Sequence, residues 1–297
     1  MSGELVSIII PSYKGEDNVA NVVESALNQD YENIEVIVVD DNGAGTAHQI
    51  ATEKALEKFE NNKKFRYLKH DVNKNGSAAR NKGLRASHAK YVAFLDDDDY
   101  FYPNKISSCV KALEKTDDTY AFAYTAYDLV FPEKRTELIA PKYSGDILDD
   151  FLCRKIRLCS SSVVIKKKIV DEVNGFDESF RRHQDWEFFI RILAKYKAVY
   201  VDEVAMKKVM LWRNKPTSPE MFEQYRVHFI NKMAPIFNTR SEEVKNKVYD
   251  SHYFDIAKAY LKDKKIQKFF YWINKTSNPC MYLIKVIPDT LAFIKRR

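Results

Sequence analysis

The N-terminal third of the sequence alternates short β-branched runs with segments of helical spacing, and this order constrains the fold more than any other feature. The runs that we predict as strands lie at residues 6–10, 34–39, 65–68 and 91–95. Amphipathic spacing between them predicts helices at about residues 19–27, 46–59 and from 76 onward. The first two strands are almost entirely apolar, as expected of strands buried on both faces. Strand, helix, strand, helix in this order predicts an α/β fold with a doubly wound, mostly parallel sheet.

The rest of the chain falls into two parts. Strand and helix patterns are mixed in the middle of the sequence, and only helical spacing continues after Trp212. Pro216 and Pro219 mark this change. We therefore predict an α/β domain over residues 1–213 and a C-terminal helical extension over residues 214–297.

The composition excludes several classes of protein. The hydrophobic fraction is 45% and the charged fraction is 30%, which is typical of a globular protein with a sizeable core. No apolar run approaches the ~20 residues that span a bilayer, and no secretion signal is recognisable, so we expect a cytoplasmic protein. The four cysteines have neither paired spacing nor a histidine at zinc-finger spacing, so we predict free thiols.

The net charge of +6 is concentrated near the C-terminus. Residues 250–297 contain ten basic and four acidic side chains, and the difference of six accounts for the whole excess. A localised basic region favours an anionic partner, and we expect membrane phospholipid rather than nucleic acid. The apolar run between Met281 and Lys295 suits a helix that lies on such a membrane. The alternative is a small helical appendage that packs on the rest of the protein.

Acidic residues stand where the fourth predicted strand ends. In parallel sheets, ligands bind beyond the carboxyl ends of the strands. The run Asp96–Asp99 follows that strand, and the alternate carboxylates of Asp96 and Asp98 can share one Mg²⁺ or Mn²⁺ ion. The alternative is a solvated acidic loop that caps the next helix. The position at the mouth of a parallel sheet favours the metal site.

Three further residues belong to the same predicted edge. Tyr13 follows the first strand and offers a ring that can stack on a base or pack internally. Asp41 follows the second strand, where a carboxylate can accept hydrogen bonds from a base or ribose, or form an ordinary turn. Arg80 lies on the helix that begins near Gly76 and can reach a diphosphate or form a surface ion pair.

Six stretches of the sequence together resemble the family 2 glycosyltransferases of the GT-A fold. They occur in the order and spacing of that family and cover roughly residues 5–213. The stretches are Val6–Tyr13, Val38–Asp41, Gly76–Asn81 with Gly83, Phe94–Asp99, Gly175–Glu178 and Gln184–Glu187. The resemblance implies a GT-A type sheet and an inverting enzyme that uses a nucleotide diphosphate sugar and a divalent metal ion, Mn²⁺ or Mg²⁺.

The resemblance also implies which residues bind the nucleotide. Pro11, Tyr13 and Asp41 match the wall that holds the base, which is usually uracil in this family. Arg80 matches a further contact to the nucleotide.

The resemblance extends to the metal site and the catalytic base. Asp96 and Asp98 match the two key carboxylates, with Asp96 at the ribose or metal and Asp98 at the metal. Asp97 is the variable residue between them and belongs with the nucleotide-binding group. Asp185 matches the catalytic base, and its alternative role is that of an acid stabilised at a helix N-terminus. Gln184 stands where the family often has Glu, which affects the support of the base and not the reaction class.

The implied function is transfer of a sugar, expected from a UDP-sugar, to a hydroxyl of a glycan or lipid-linked acceptor. Such a step belongs to cell-surface glycan synthesis at the inner face of the cell membrane. Two other functions stay open. A sugar-nucleotide nucleotidyltransferase would need a Gly-rich phosphate loop, which Pro11–Gly15 lacks. A non-catalytic module that binds nucleotide sugars would not require Asp98 and Asp185.

Overall fold

The computed structural model describes residues 3–133, 135–210 and 218–294, with side chains described as far as Val286. The chain divides into two compact units, Met1–Trp212 and Arg213–Arg297. The first unit contains the β-sheet and the second is helical. All four cysteines are free, as predicted.

Within the described part of the first unit, nine strands form one sheet. The strands are β1 (Val6–Ser12), β2 (Ile34–Asp40), β3 (Phe65–Lys69), β4 (Tyr91–Phe94), β5 (Tyr100–Phe101), β6 (Tyr120–Val130), β7 (Thr136–Ile139), β8 (Val163–Lys166) and β9 (Lys197–Val209). They lie in the order β3-β2-β1-β4-β8-β6-β9-β5, and β7 pairs with β6.

The first four strands pair in parallel, with β1 between β2 and β4 and with β3 outside β2. The carboxyl ends of β1, β2 and β4 therefore meet at one edge of the sheet. β8 lies antiparallel to β4 and β6, whereas β9 pairs in parallel with β6 through an irregular ladder. The predicted α/β fold with a mostly parallel sheet is confirmed, and the strands after β4 make the sheet mixed.

Helices cover both faces of the sheet, as predicted for a doubly wound fold. They are α1 (Val19–Leu27), α2 (Ala47–Leu56), α3 (Gly76–Ala86), α4 (Lys105–Leu113), α5 (Leu148–Leu152), α6 (Lys167–Glu172) and α7 (Gln184–Leu193). On one face, Val36 and Val38 of β2 share a core cluster with Val22 of α1. On the other face, Val39 of β2 packs with Ala79 of α3. Successive residues of β2 thus point to different helical layers.

Helix α3 lies close to β1 because Gly83 has no side chain. A Cβ atom at this position would lie 2.4 Å from Cγ2 of Ile9, well inside van der Waals contact. This close packing fixes the start of α3 relative to the ends of the parallel strands, where the site residues lie.

The second unit has a core of its own. Its helices are α8 (Pro219–Phe237), α9 (Glu242–Lys262), α10 (Ile266–Ile273) and α11 (Pro279–Ile294). The side chain of Ser218 caps α8 by accepting a hydrogen bond from the N–H of Met221 (3.2 Å), and Pro219 occupies the first turn. Apolar residues of α9, α10 and α11 form one buried cluster.

Part of the C-terminal apolar run belongs to this core, and for these residues the expectation of a membrane-facing run is wrong. Tyr282 and Val286 are buried in the same cluster as Tyr260. Met281 and Ile284, on the same helix, are exposed. Among the helices that the structure describes, none is long and apolar enough to cross a bilayer.

Candidate active site

Hydrogen bonds join the ends of the parallel strands directly. The N–H of Asp41, after β2, donates to the carbonyl of Ser12 at the end of β1 (2.8 Å). Asp97, beyond β4, accepts from the hydroxyl of Ser12 (3.2 Å) and from the N–H of Tyr13 (3.1 Å). A Cβ atom at Gly15 would lie 2.0 Å from Oδ2 of Asp97, so only glycine permits this close approach. The structure thus places Asp97 against the loop that follows β1.

The ring of Tyr13 lies at the surface of this loop. Its side chain is 40% exposed, and Nζ of Lys14 lies 5.3 Å from the ring centroid. The backbone of Lys14 is held in position because its N–H donates to Oδ1 of Asn42 (2.8 Å). Pro11 is half-buried in β1, opposite Val39 of β2. An exposed ring on a fixed loop is suited to stacking on a base, which stays a prediction.

Asp41 is buried and organises the loop between β3 and α3. Its Oδ1 accepts from the N–H of Lys74 (2.8 Å) and lies 2.7 Å from Nδ1 of His70. Its Oδ2 accepts from Nδ2 of Asn73 (2.9 Å) and from the N–H of Asn75 (2.8 Å). Both carboxylate oxygens are therefore engaged within the protein, and the expected contact between Asp41 and a base stays a prediction.

Asn75 begins α3 in an unusual backbone conformation. Its φ angle is +97°, which non-glycine residues rarely adopt. Its Oδ1 caps the helix by accepting from the N–H groups of Ser77 (2.9 Å) and Ala78 (3.2 Å). The hydrogen bond to Asp41 holds this conformation, so the sequence-predicted acid determines where α3 begins.

Arg80 joins α3 to the acidic loop and to α7. Its Nη2 donates to Oδ1 of Asp96 (2.6 Å), and its Nη1 donates to Oε1 of Gln184 (3.2 Å). The guanidinium carbon lies 5.3 Å from the ring centroid of Phe176. Arg80 is almost fully buried, so it is not the surface ion pair that the sequence left open as its alternative role. Gln184, the residue that departs from the family pattern, here supports Arg80.

The acidic residues beyond β4 form a cluster that fits a divalent cation. Asp96, Asp98 and Asp99 each offer one carboxylate oxygen, and these oxygens lie within 4.8 Å of one another. Mg²⁺ binds oxygen ligands at about 2.1 Å, and carboxylate oxygens gathered this closely are a suitable ligand set for one such ion. Burial, reinforced by Asp99 and Asp96, raises the pKa of Asp98 to about 7. Neighbouring carboxylates repel one another, and a bound divalent cation would stabilise them by neutralising their charge.

A lysine that the sequence did not reveal lies in the same cluster. Nζ of Lys208, on β9, lies 2.9 Å from Oδ2 of Asp99 and 3.7 Å from Oδ2 of Asp96. Burial alone would lower the pKa of Lys208, but Asp99 and Asp96 raise it well above its ordinary value. Asp99 is fully buried and also accepts from the hydroxyl of Ser161 (2.7 Å) and the N–H of Val209 (3.2 Å). Lys208 is therefore a cation built into the acidic cluster.

Asp185 lies at the start of α7, near these charges. The helix follows His183, whose φ angle is +62°, and Oδ1 of Asp185 accepts from the N–H of Trp186 (2.9 Å). Burial raises the pKa of Asp185, while Arg80 lowers it and Asp96 raises it further. The preceding residue, Gln184, accepts a hydrogen bond from Arg80, so α7 begins beside the Arg80–Asp96 ion pair.

The family to which the chain belongs follows from comparison of its sequence with known proteins. A sequence profile of Glycosyl transferase family 2 matches residues 7–173, more than half of the chain. The chain therefore belongs to glycosyl transferase family 2.

Several relatives are also glycosyltransferases by name. An uncharacterized glycosyltransferase of Rickettsia typhi is 28% identical over 95% of this chain and 90% of its own length. Another from Rickettsia bellii is 33% identical over 69% of this chain, but the match spans only 29% of that relative's length. The UDP-Glc:alpha-D-GlcNAc-diphosphoundecaprenol beta-1,3-glucosyltransferase WfaP of Escherichia coli is 37% identical over 42% of this chain and 46% of its own.

Solved structures confirm the GT-A type fold expected from the sequence. The mannosyltransferase PcManGT of Pyrobaculum calidifontis, in complex with GDP-Man and Mn²⁺, matches 97% of this chain and 80% of its own with a TM-score of 0.62. Residues 1–349 of S. aureus TarS, in complex with UDP-GlcNAc, match 89% of both chains with a TM-score of 0.58. Each is 16% identical to this chain, so the similarity concerns the fold alone.

Proposed function

We propose that the protein is an inverting glycosyltransferase that moves a sugar from a nucleoside diphosphate to an acceptor hydroxyl. The observation that carries the proposal is that α7, which begins with Gln184 and Asp185, contacts the Arg80–Asp96 ion pair through Gln184. The reaction needs a carboxylate that takes a proton and a nearby cluster that suits a metal ion and a diphosphate. This region of the structure contains both.

In the proposed step, the acceptor oxygen attacks the anomeric carbon from the side opposite the diphosphate. The new bond joins this oxygen to the sugar, the bond between the sugar and the diphosphate breaks, and the acceptor proton passes to Asp185. The raised pKa of Asp185 makes its carboxylate a stronger proton acceptor than an ordinary aspartate. A single displacement of this kind inverts the anomeric centre.

The acidic cluster would hold Mn²⁺ or Mg²⁺ through Asp96, Asp98 and Asp99. When bound, such an ion neutralises charge on the departing diphosphate. Arg80 and Lys208 fix the carboxylates of Asp96 and Asp99 in position through their ion pairs. Two cations within the protein therefore limit the repulsion among the three acids before any ligand binds.

We propose a UDP-sugar as the donor. The half-exposed ring of Tyr13 would stack on the base, with Pro11 and Asp97 supporting the same loop. Asp41 would shape this wall through its four hydrogen bonds to the loop between β3 and α3. The donors bound by TarS and PcManGT, UDP-GlcNAc and GDP-Man, support the nucleotide-sugar class.

We also propose that the acceptor is a lipid-linked glycan precursor used in cell-surface polysaccharide synthesis. The name of WfaP specifies a sugar carried on diphosphoundecaprenol, and its similarity to this chain supports the same class of acceptor. Such an acceptor would place the reaction at the inner face of the cell membrane, with peripheral contact through the second unit.

The function is tested with purified protein and a panel of nucleotide sugars with Mn²⁺. We expect one donor to raise the melting temperature most and to be converted to free nucleoside diphosphate when an acceptor is present. Release of pyrophosphate would instead identify a nucleotidyltransferase. Binding without turnover across all acceptors would identify a non-catalytic module.

Asp98→Ala should remove the metal dependence of donor binding. We expect Mn²⁺ to strengthen binding of the nucleotide sugar by roughly tenfold or more in wild type, and the alanine deletes a carboxylate of the cluster on which this effect depends. Calorimetry with Mn²⁺ and with a chelator measures the ratio of the two affinities. Asp118→Asn, which changes an exposed acid paired with Lys168, serves as the control and should retain the wild-type ratio. An unchanged ratio in Asp98→Ala would remove this residue from the metal site.

A further inference from the structure

The second unit exposes an apolar stripe on α10. Ile266 and Phe270 are spaced by four residues and are 48% and 46% exposed, and Tyr271 beside them is 52% exposed. The opposite side of the helix is in the core, where Trp272 and Ile273 are buried. The helix is therefore apolar on both sides, and only one side has a partner within the described unit.

The helix α11 repeats this arrangement. Met281 and Ile284 are spaced by three residues and are 37% and 66% exposed. Tyr282 and Val286 of the same helix are buried in the core that also holds α10. Solvent-exposed side chains of this size on two neighbouring elements mark a surface that contacts another apolar phase.

The charged side chains of the segment that carries α10 and the start of α11 are all basic, although Glu220, Glu223 and Asp263 pair with two of them. Residues 264–286 contain five lysines and neither aspartate nor glutamate. In the part of the chain that the structure describes, no carboxylate pairs with Lys264, Lys275 or Lys285. Lys275 and Lys285 instead lie over the rings of aromatic neighbours, with Nζ 5.0 Å from the centroid of Tyr271 and 4.7 Å from that of Tyr282. Tyr271 is exposed, and lysines beside an exposed aromatic ring suit the boundary between lipid headgroups and acyl chains.

We infer that the exposed sides of α10 and α11 form a docking surface for an anionic phospholipid bilayer. Its apolar residues are Ile266, Phe270, Tyr271, Met281 and Ile284, and its cationic residues are Lys264, Lys275 and Lys285. A second copy of the chain is a poorer occupant, because a two-fold contact would bring lysines of one sign together. The inference deepens the proposed function, on which it rests for the membrane-bound acceptor, by naming the surface and the lipid charge that it recognises.

Flotation of the full chain with vesicles tests the surface. We expect wild type to float with vesicles that contain phosphatidylglycerol and to stay in solution with pure phosphatidylcholine. Removing α11 is not a suitable test, because Tyr282 and Val286 belong to the core. Point substitutions of exposed side chains avoid that loss.

Two variants separate the apolar and the electrostatic contributions. Phe270→Ser combined with Tyr271→Ser should weaken partitioning to anionic vesicles by about tenfold or more, because two rings no longer enter the headgroup region. Lys264→Gln, Lys275→Gln and Lys285→Gln together should weaken it by about 100-fold at low salt and should make it less sensitive to added salt than in wild type.

A matched control removes the same charge elsewhere. Lys63→Gln, Lys111→Gln and Lys115→Gln change three exposed lysines of the first unit and should leave flotation at the wild-type level. Every variant should remain folded with a cooperative thermal transition, and the lysine variants should keep the wild-type melting temperature, since their altered side chains are exposed.

Vesicle binding and catalysis can be measured separately. Asp185→Asn should float as wild type does, and the vesicle-binding variants should turn over a water-soluble acceptor normally. Wild type that fails to float with anionic vesicles would overturn the inference and leave the proposed transfer reaction intact. The inference would also fail if Phe270→Ser combined with Tyr271→Ser floated like wild type. It would fail equally if wild type bound no vesicles and formed a dimer that this variant abolished.

Discussion

Asp185→Asn should lower the turnover number for sugar transfer by about 10²–10⁴-fold, the range typical of a lost general base. Asparagine keeps the size of the side chain and can still accept the N–H of Trp186, so the start of α7 should be unchanged. The amide cannot take the acceptor proton. Because the substitution removes a negative charge near Arg80, donor binding should be preserved or slightly strengthened.

The measurement combines release of nucleoside diphosphate with calorimetric titration of the donor. Asp118→Asn provides the matched control, because its side chain is 86% exposed and pairs with surface Lys168. It should be indistinguishable from wild type in both assays. Near-normal turnover in Asp185→Asn would show that another group accepts the proton. Loss of donor binding along with turnover would assign Asp185 a structural role instead.

Three of the four parallel strands, β1, β2 and β4, could be predicted closely because they are buried on both faces. A run such as Val6–Ile10 has no polar residue to interrupt it except Ser7, and the strand that forms extends only to Ser12. By contrast, β9 spans Lys197–Val209, but only Ala198–Val201 at its start forms an apolar run. The later residues of β9 include exposed acids and two lysines. Pairing with β6, and not an apolar pattern, therefore defines this part of the strand.

Short strands escaped prediction for a related reason. β5 contains two residues and β7 contains four, and each exists because it pairs with a longer strand, β9 or β6. Pairing between segments that are distant in the sequence leaves no local periodic signal.

The same limit applies to the site. Asp96 and Asp98 could be predicted as a pair because they are two residues apart after a strand. Lys208 could not, because its place beside Asp99 depends on the antiparallel register of β5 with β9, in which Tyr100 faces Lys207. The charge of Arg80 was predicted to serve a ligand, whereas its bond to Asp96 follows from the tertiary packing of α3.

Lys208→Met should destabilise the first unit by about 3 kcal/mol, because it leaves the carboxylate of Asp99 buried without its cation. Methionine fills a similar volume, so little of the effect should come from a cavity. The hydrogen bonds that Asp99 accepts from Ser161 and Val209 remain, but they do not replace a positive charge 2.9 Å away.

The double variant Asp99→Asn/Lys208→Met should recover most of this loss, because both charges are then absent and the asparagine oxygen can still accept from Ser161. Urea unfolding of wild type, both single variants and the double variant gives the coupling free energy between the two residues. Lys168→Met breaks the exposed pair with Asp118 and should change stability by less than about 1 kcal/mol. A Lys208→Met variant no less stable than this control would mean that Ser161 and Val209 suffice for Asp99. Lys208 would then be dispensable for stability, and the repulsion among the carboxylates of the acidic cluster would not destabilise the fold in its absence.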